Sequence, residues 1–296
     1  MSTTHTTGQP SRPARLDGKP NFSGGWQANN EASWDLQAHH ARPALVTQPG
    51  VYPYEYARVP AAPVLALGAA AGVPGSLGVV QGDGQIPYKP EAAKIKKANE
   101  ENWIDRDPEL KCYLPGIPRA MYMPYPFQIV QSANKIQMAY TFAGAARTIH
   151  LDKVDGPPDD TYMGHSVGRW EGDTLVVDVT NFNGKNWFDR AGNFHSDALH
   201  LVERLTPISP DAIRYEATIQ DPNVFTRTWQ IAMPLYRRLD PNAQIMEYPC
   251  IEFAEEFLYG HVRKQQLVKH WEGETMIVDI TRKVPPGDRF HEWYRR

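Results

Sequence analysis

The stretch NFNGKNWFDRAGNFHSD, residues 181–197, gathers Asp189, Arg190, His195 and Ser196 around Trp187. An imidazole exchanges a proton near neutral pH, so His195 is the candidate general acid or base, and Asp189 is the carboxylate expected to hold its tautomer. Just downstream, LHLVERL alternates so that Glu203 shares a face with Leu199, Leu201 and Leu205, while His200 and Arg204 share the other with Val202. A carboxyl group buried among leucines has its pKa raised and suits proton transfer. The plain alternatives are a solvated polar loop, a surface histidine, and a Glu203 returned to solvent or paired with an arginine such as Arg147 or Arg227. Tyr162 and Arg190 are the candidates to stabilise developing negative charge. Trp170, Trp187, His165 and Arg204 are the candidates for ligand contact. Ser196 beside His195 makes no triad, because neighbours on an extended chain point apart.

Other chemistries find less support. His150, His165, His195, His200 and Glu203 show no HxH or HExxH spacing, so no metal is expected. There is no GxSxG, no phosphate-binding loop and no dinucleotide GxGxxG after a strand, so no organic cofactor is expected either. Cys112 and Cys250 exclude a disulfide framework or a CxxC site and leave one bridge possible. A formal charge of -3 disfavours nucleic acid and anionic membranes as partners. A hydrophobic small molecule fits better. Oligomeric state has no signature here.

These residues need elements to hold them. With 41% hydrophobic and 22% charged residues the chain reads as globular, and its 26 prolines and 22 glycines favour β structure and loops over a helical bundle. Residues 1–20 read as a disordered tail without the apolar core of a secretory signal, which makes the cytoplasm the expected compartment. Residues 59–82 are uncharged and as long as a membrane span, but proline and glycine interrupt them throughout, so a packed flap is expected instead. Lys89 to Trp103 carries the composition of a solvent-facing helix, and the five prolines of Asp107 to Gln128 predict an irregular segment laid over a core. From Phe127 the grammar becomes short strands and turns. About nine strands joined by hairpins are expected, the pattern of an antiparallel barrel or sandwich. A helix-like stretch at 247–260 interrupts the series and ends at a glycine.

Two of the hairpins repeat each other. Val167 to Thr180 and Val268 to Thr281 share Val, Trp, Glu, Gly, Thr, Val, Asp and Thr at matching positions. Gly172-Asp173 and Gly273-Glu274 read as Gly-first two-residue turns, which sets Trp170 opposite Leu175 and Trp271 opposite Met276. Each Trp is expected to point inward and anchor a barrel hairpin, with Asp178 and Asp279 on the outer face.

The segments CYLPGIPRAMYMPYPFQIVQ, YMGHSVGRWEGDTLVVDVTNFN, NWFDRAGNFHSDALHLVERL and RYEATIQDP together resemble a large family of proteins from soil and aquatic bacteria. The likeness covers roughly residues 90 to 262 and is most specific from His165 to Arg204. The resemblance implies a lipocalin-like barrel and names no reaction. Many members of that family look exported, whereas residues 1–20 here read as lacking such a signal.

The expected architecture is mainly β: an antiparallel up-and-down, lipocalin-like barrel over 126–296, a Pro-rich segment over 21–125 packed against it, and one or two short helices. The expected function is cofactor-independent acid/base catalysis, of lyase, hydratase or isomerase type, on a terpenoid, steroid or aromatic molecule. A binding protein that carries such a ligand unchanged is the alternative.

Overall fold

The computed structural model describes residues 13–41, 47–49, 56–58, 74–252 except 102, 153 and 249, and the segments 268–272 and 275–279. Nine strands close into a barrel. They are β1 (Gly24–Ala28), β2 (Phe127–Gln131), β3 (Lys135–Tyr140), β4 (Ala146–His150), β5 (His165–Glu171), β6 (Thr174–Thr180), β7 (His200–Ser209), β8 (Ala212–Gln220) and β9 (Trp229–Arg237). Every strand pairs with its neighbour in sequence, and β9 returns to β1. An odd number of alternating strands cannot close without one parallel pair. It falls between β4 and β5, where Ile149 faces Ser166 and His150 faces Val167. All other neighbours in the ring are antiparallel, as expected.

Period-two alternation sets what faces inward. Ile136, Met138 and Tyr140 on β3, Leu175, Val177 and Val179 on β6, and Ile213, Tyr215, Ala217 and Ile219 on β8 are all buried. The front segment does more than pack outside. It supplies β1, whose Trp26 lies in the core, and Val79 and Gln81 bond to the backbone of β9. It also supplies the helix α1 (Pro90–Glu101), inside the stretch expected to be helical. Among the described residues no helix is long and apolar enough to cross a membrane.

Order begins before residue 20. Arg15–Leu16 and Lys19–Pro20 form a small ribbon whose turn residues Asp17 and Gly18 both take positive φ, the type I′ geometry that Asp-Gly favours. Arg15 Nη2 lies 2.6 Å from Asp173 Oδ1, tying this ribbon to the β5–β6 turn.

The repeated hairpin has two different fates. In the first copy Leu175 faces Trp170, and Gly172 takes φ 61° as a Gly-first turn requires. In the second, Trp271 faces Met276, but Val268–Glu272 and Thr275–Asp279 make a two-stranded sheet of their own. The expectation of two equivalent barrel hairpins is therefore corrected. The ring has already closed at Arg237, and a closed barrel has no edge to receive another hairpin. The flap at 59–73 and the end of the helix-like stretch at 253–260 lie outside the described residues.

Cys112 and Cys250 form a disulfide across 138 residues of chain. The bridge joins the segment after the last barrel strand to the turn Pro108–Lys111, of which Cys112 is the cap.

Candidate functional site

The connection from β6 to β7 is neither a solvated loop nor an open rim. It is a buried plug: Phe182, Asn186, Phe188, Asp189, Ala191, Asn193 and His195 are each 3% exposed or less. Segments distant in sequence cover it. Tyr122 Oη donates to the Phe188 carbonyl at 2.9 Å, Tyr88 Oη donates to Asn193 Oδ1 at 2.9 Å, and the Arg190 amide donates to the Ser33 carbonyl at 3.0 Å.

Within the plug the expected Asp189–His195 hydrogen bond is not formed. Asp189 accepts from the amides of Leu36 (2.9 Å) and Asn193 (3.1 Å) and from Asn193 Nδ2 (2.6 Å). His195 Nδ1 lies 2.8 Å from the Ser196 carbonyl, and its ring packs on Phe182 and Phe188. Asp221 accepts from the Ser196 amide and hydroxyl, fixing the chain just after His195. The physical reason for the correction is that a loop which buries its own backbone must answer its amides, and Asp189 is spent on that task. Burial pushes the Asp189 carboxyl up to about 8, with the nearby charge of Asp35 adding to it. Burial also pulls the His195 imidazole below its ordinary value, partly offset by the Ser196 carbonyl and Asp221.

Arg190 is likewise committed. Its guanidinium grips Glu109 through two bonds of 3.0 Å and stacks over Trp34 and Trp103. Glu109 also meets Arg119, which is buried and paired bidentately with Asp107. Burial raises the Glu109 carboxyl, but the two guanidiniums outweigh it and hold the group below its usual value. Tyr162 packs against Tyr113 with the rings tilted by 46°, Trp187 pairs with Phe194 inside the plug, and Trp170 caps one end of the core against Phe22. Arg204 lies on the outer face, bonded to Glu171. His165 is also outward, its ring 5.5 Å from that of His150, and burial with the His150 charge lowers its pKa. The candidates thus divide among plug, barrel end and outer wall, and they do not converge.

A different set converges inside the barrel. Glu203 faces inward as the alternation required, but it does not stand alone among leucines. Arg147, reaching across from β4, grips it with both terminal guanidinium nitrogens, Nη1 at 3.2 Å and Nη2 closer. The same arginine donates through Nε to Ser166 Oγ at 2.8 Å, and Tyr215 Oη donates to Glu203 Oε1 at 2.8 Å. Arg147 and Glu203 are both fully enclosed. Burial alone pulls the Arg147 guanidinium down, but the charge of Glu203 and the neighbouring tyrosines outweigh it and raise it. Burial followed by the Glu203 charge drives the Tyr215 phenol far above its ordinary value. Tyr140, which burial also raises, sits beside them with its hydroxyl 3.3 Å from Met121 Sδ and 3.6 Å from Met138 Sδ.

The isolation that would have made Glu203 a proton donor is therefore absent, and the pairing with Arg147 is the alternative that holds. Tyr215, Ser166 and Tyr140 were missed as site residues, although the signal was present. The alternation that turns Glu203 inward also places Tyr215 with Ile213, Ala217 and Ile219, and Arg147 with Ile149. Among the described residues no three His, Cys, Asp or Glu side chains converge as a metal centre.

No protein-family model, curated protein or solved structure matches the chain.

Proposed function

We propose that the protein binds a hydrophobic small molecule, of terpenoid, steroid or aromatic type, that carries an oxygen function, and that the barrel's interior polar cluster recognises that oxygen. The observation that carries this reading is the Arg147–Glu203–Ser166–Tyr215 network, enclosed in an otherwise apolar barrel. Such a network is not needed to hold a barrel together, because exchanging a buried ion pair for well-packed apolar residues is often neutral or stabilising by about 1–4 kcal/mol. An apolar wall with a few convergent polar groups is instead the composition of a ligand site. In this reading the ligand oxygen takes one arm of the Arg147 fork and the Tyr215 hydroxyl turns to it. Met121, Met138 and Met233 in the surrounding core are side chains that adapt to a guest's shape.

The lyase or isomerase reading is favoured by one observation. The His195 ring is enclosed between Phe182 and Phe188 with its Nδ1 2.8 Å from the Ser196 carbonyl, an orientation that would leave Nε2 to exchange a proton with a substrate, while burial pulls the imidazole below its ordinary value. His195→Ala separates the two readings. Loss of product formation with ligand binding intact supports catalysis, and full turnover removes His195 from any mechanism.

The Cys112–Cys250 bridge favours an oxidising compartment over the cytoplasm, where thiols are kept reduced. Native mass spectrometry of the full chain purified under mild conditions tests the binding reading. An oxygenated hydrophobic molecule retained at near one per chain, or taken up from a panel of terpenoid, steroid and aromatic acids and alcohols, is the expected result. Neither retention nor uptake from that panel would refute it.

A further inference from the structure

We propose that His150 and His165, on the outer wall of the barrel, form a two-imidazole site for a divalent transition-metal ion such as Zn2+, Ni2+ or Cu2+. The two residues belong to β4 and β5, the neighbouring strands that run parallel, and each side chain faces outward while Ile149 and Ser166 face in. Their ring centroids are 5.5 Å apart with the planes tilted by 31°. With metal–nitrogen bonds of about 2.0–2.1 Å, two imidazoles sharing one tetrahedral ion have centroids roughly 5–5.5 Å apart. The observed spacing falls within that range.

A second observation points to a ligand. His165 Nε2 is buried and has no hydrogen-bond partner, the state in which a ring nitrogen has a lone pair or a proton left unanswered. His200, on the same outer wall, shows the contrasting case: its Nε2 lies 2.7 Å from Asp178 Oδ1. The platform under the pair is stiff. Gly168 of β5 packs so closely that an added Cβ would lie 2.7 Å from Ile149 Cγ2, and Arg147 is bonded to Ser166 directly beneath. Strands held in this way fix both imidazoles with little left to order on binding. With two protein nitrogens, the remaining coordination positions fall to water, which leaves the ion open to a further ligand. Imidazole donors suit zinc, copper and nickel, with copper binding most tightly in the usual order of affinities.

Isothermal titration of the full chain with ZnCl2, NiCl2 and CuCl2, each alone, tests the site against His150→Ala, His165→Ala, His165→Gln and His200→Ala, with unfolding curves recorded for each variant. The expected result is a saturable ion per chain, tightest for Cu2+. Affinity should fall about tenfold or more in the His150 and His165 variants and stay unchanged in His200→Ala. Should His165→Ala lose stability, His165→Gln retains much of the ring's volume and carries the same expectation. Absence of a saturable ion, or affinity unchanged by folded variants at both positions, would overturn the proposal.

Discussion

Arg147 and Glu203 stand on β4 and β7, with β5 and β6 between them in the ring, and meet across the interior with Ser166 and Tyr215 completing their bonds. Removing either member alone leaves a charge buried without its partner, so Arg147→Met or Glu203→Leu is expected to cost about 3–5 kcal/mol in urea unfolding. Replacing both together is expected to cost no more than about 2 kcal/mol, because the desolvation of two ions disappears along with their attraction. Asp189 makes a prediction of the opposite kind. Its folded-state pKa of about 8 lies above the unfolded value, so its contribution to stability is complete below about pH 4 and is lost as pH rises through 8. Asp189→Asn should remove that loss. The difference between wild-type and variant unfolding free energies, measured from pH 4 to 9, should therefore shift in the variant's favour as pH rises. A constant difference across that range would count against a protonated Asp189.

At the scale of elements, the strands were the legible part. FQIVQ, TLVVDVT and IRYEATIQ each become a strand, because a half-buried strand writes its two faces into alternate positions. The register of both repeated hairpins was legible too, since a Gly-first turn fixes which residues face each other. What the local pattern could not carry was long-range company. The plug reads as a polar loop because its partners Leu36, Tyr88, Tyr122 and Asp221 lie far away in sequence, and burial by such partners leaves no periodic trace. For the same reason two near-identical hairpins share a register but not a sheet. Gly168 tests the packing of the β4–β5 junction. An alanine there would put its Cβ 2.7 Å from Ile149 and 3.0 Å from Leu151, so Gly168→Ala should destabilise by about 1–3 kcal/mol through overpacking.

The whole molecule is a closed ring into which a front segment is woven and to which the chain beyond the last stave is stapled. β1 comes from before the long insertion, and Cys112–Cys250 fastens that insertion to the segment after β9. Closing a loop of this length restricts the unfolded chain, so replacing both cysteines by serine should lower stability by about 2–5 kcal/mol, with wild type in strong reductant matching the variant. Such a fastening leaves the barrel interior untouched, and the account therefore turns on what the interior cluster is for. The most direct test compares ligand occupancy in wild type and in the double variant Arg147→Met, Glu203→Leu by native mass spectrometry, once both are shown to unfold cooperatively. A wild type that holds an oxygenated hydrophobic molecule and a folded double variant that has lost it is the predicted result. Equal occupancy in the two proteins would contradict the role assigned to Arg147 and Glu203.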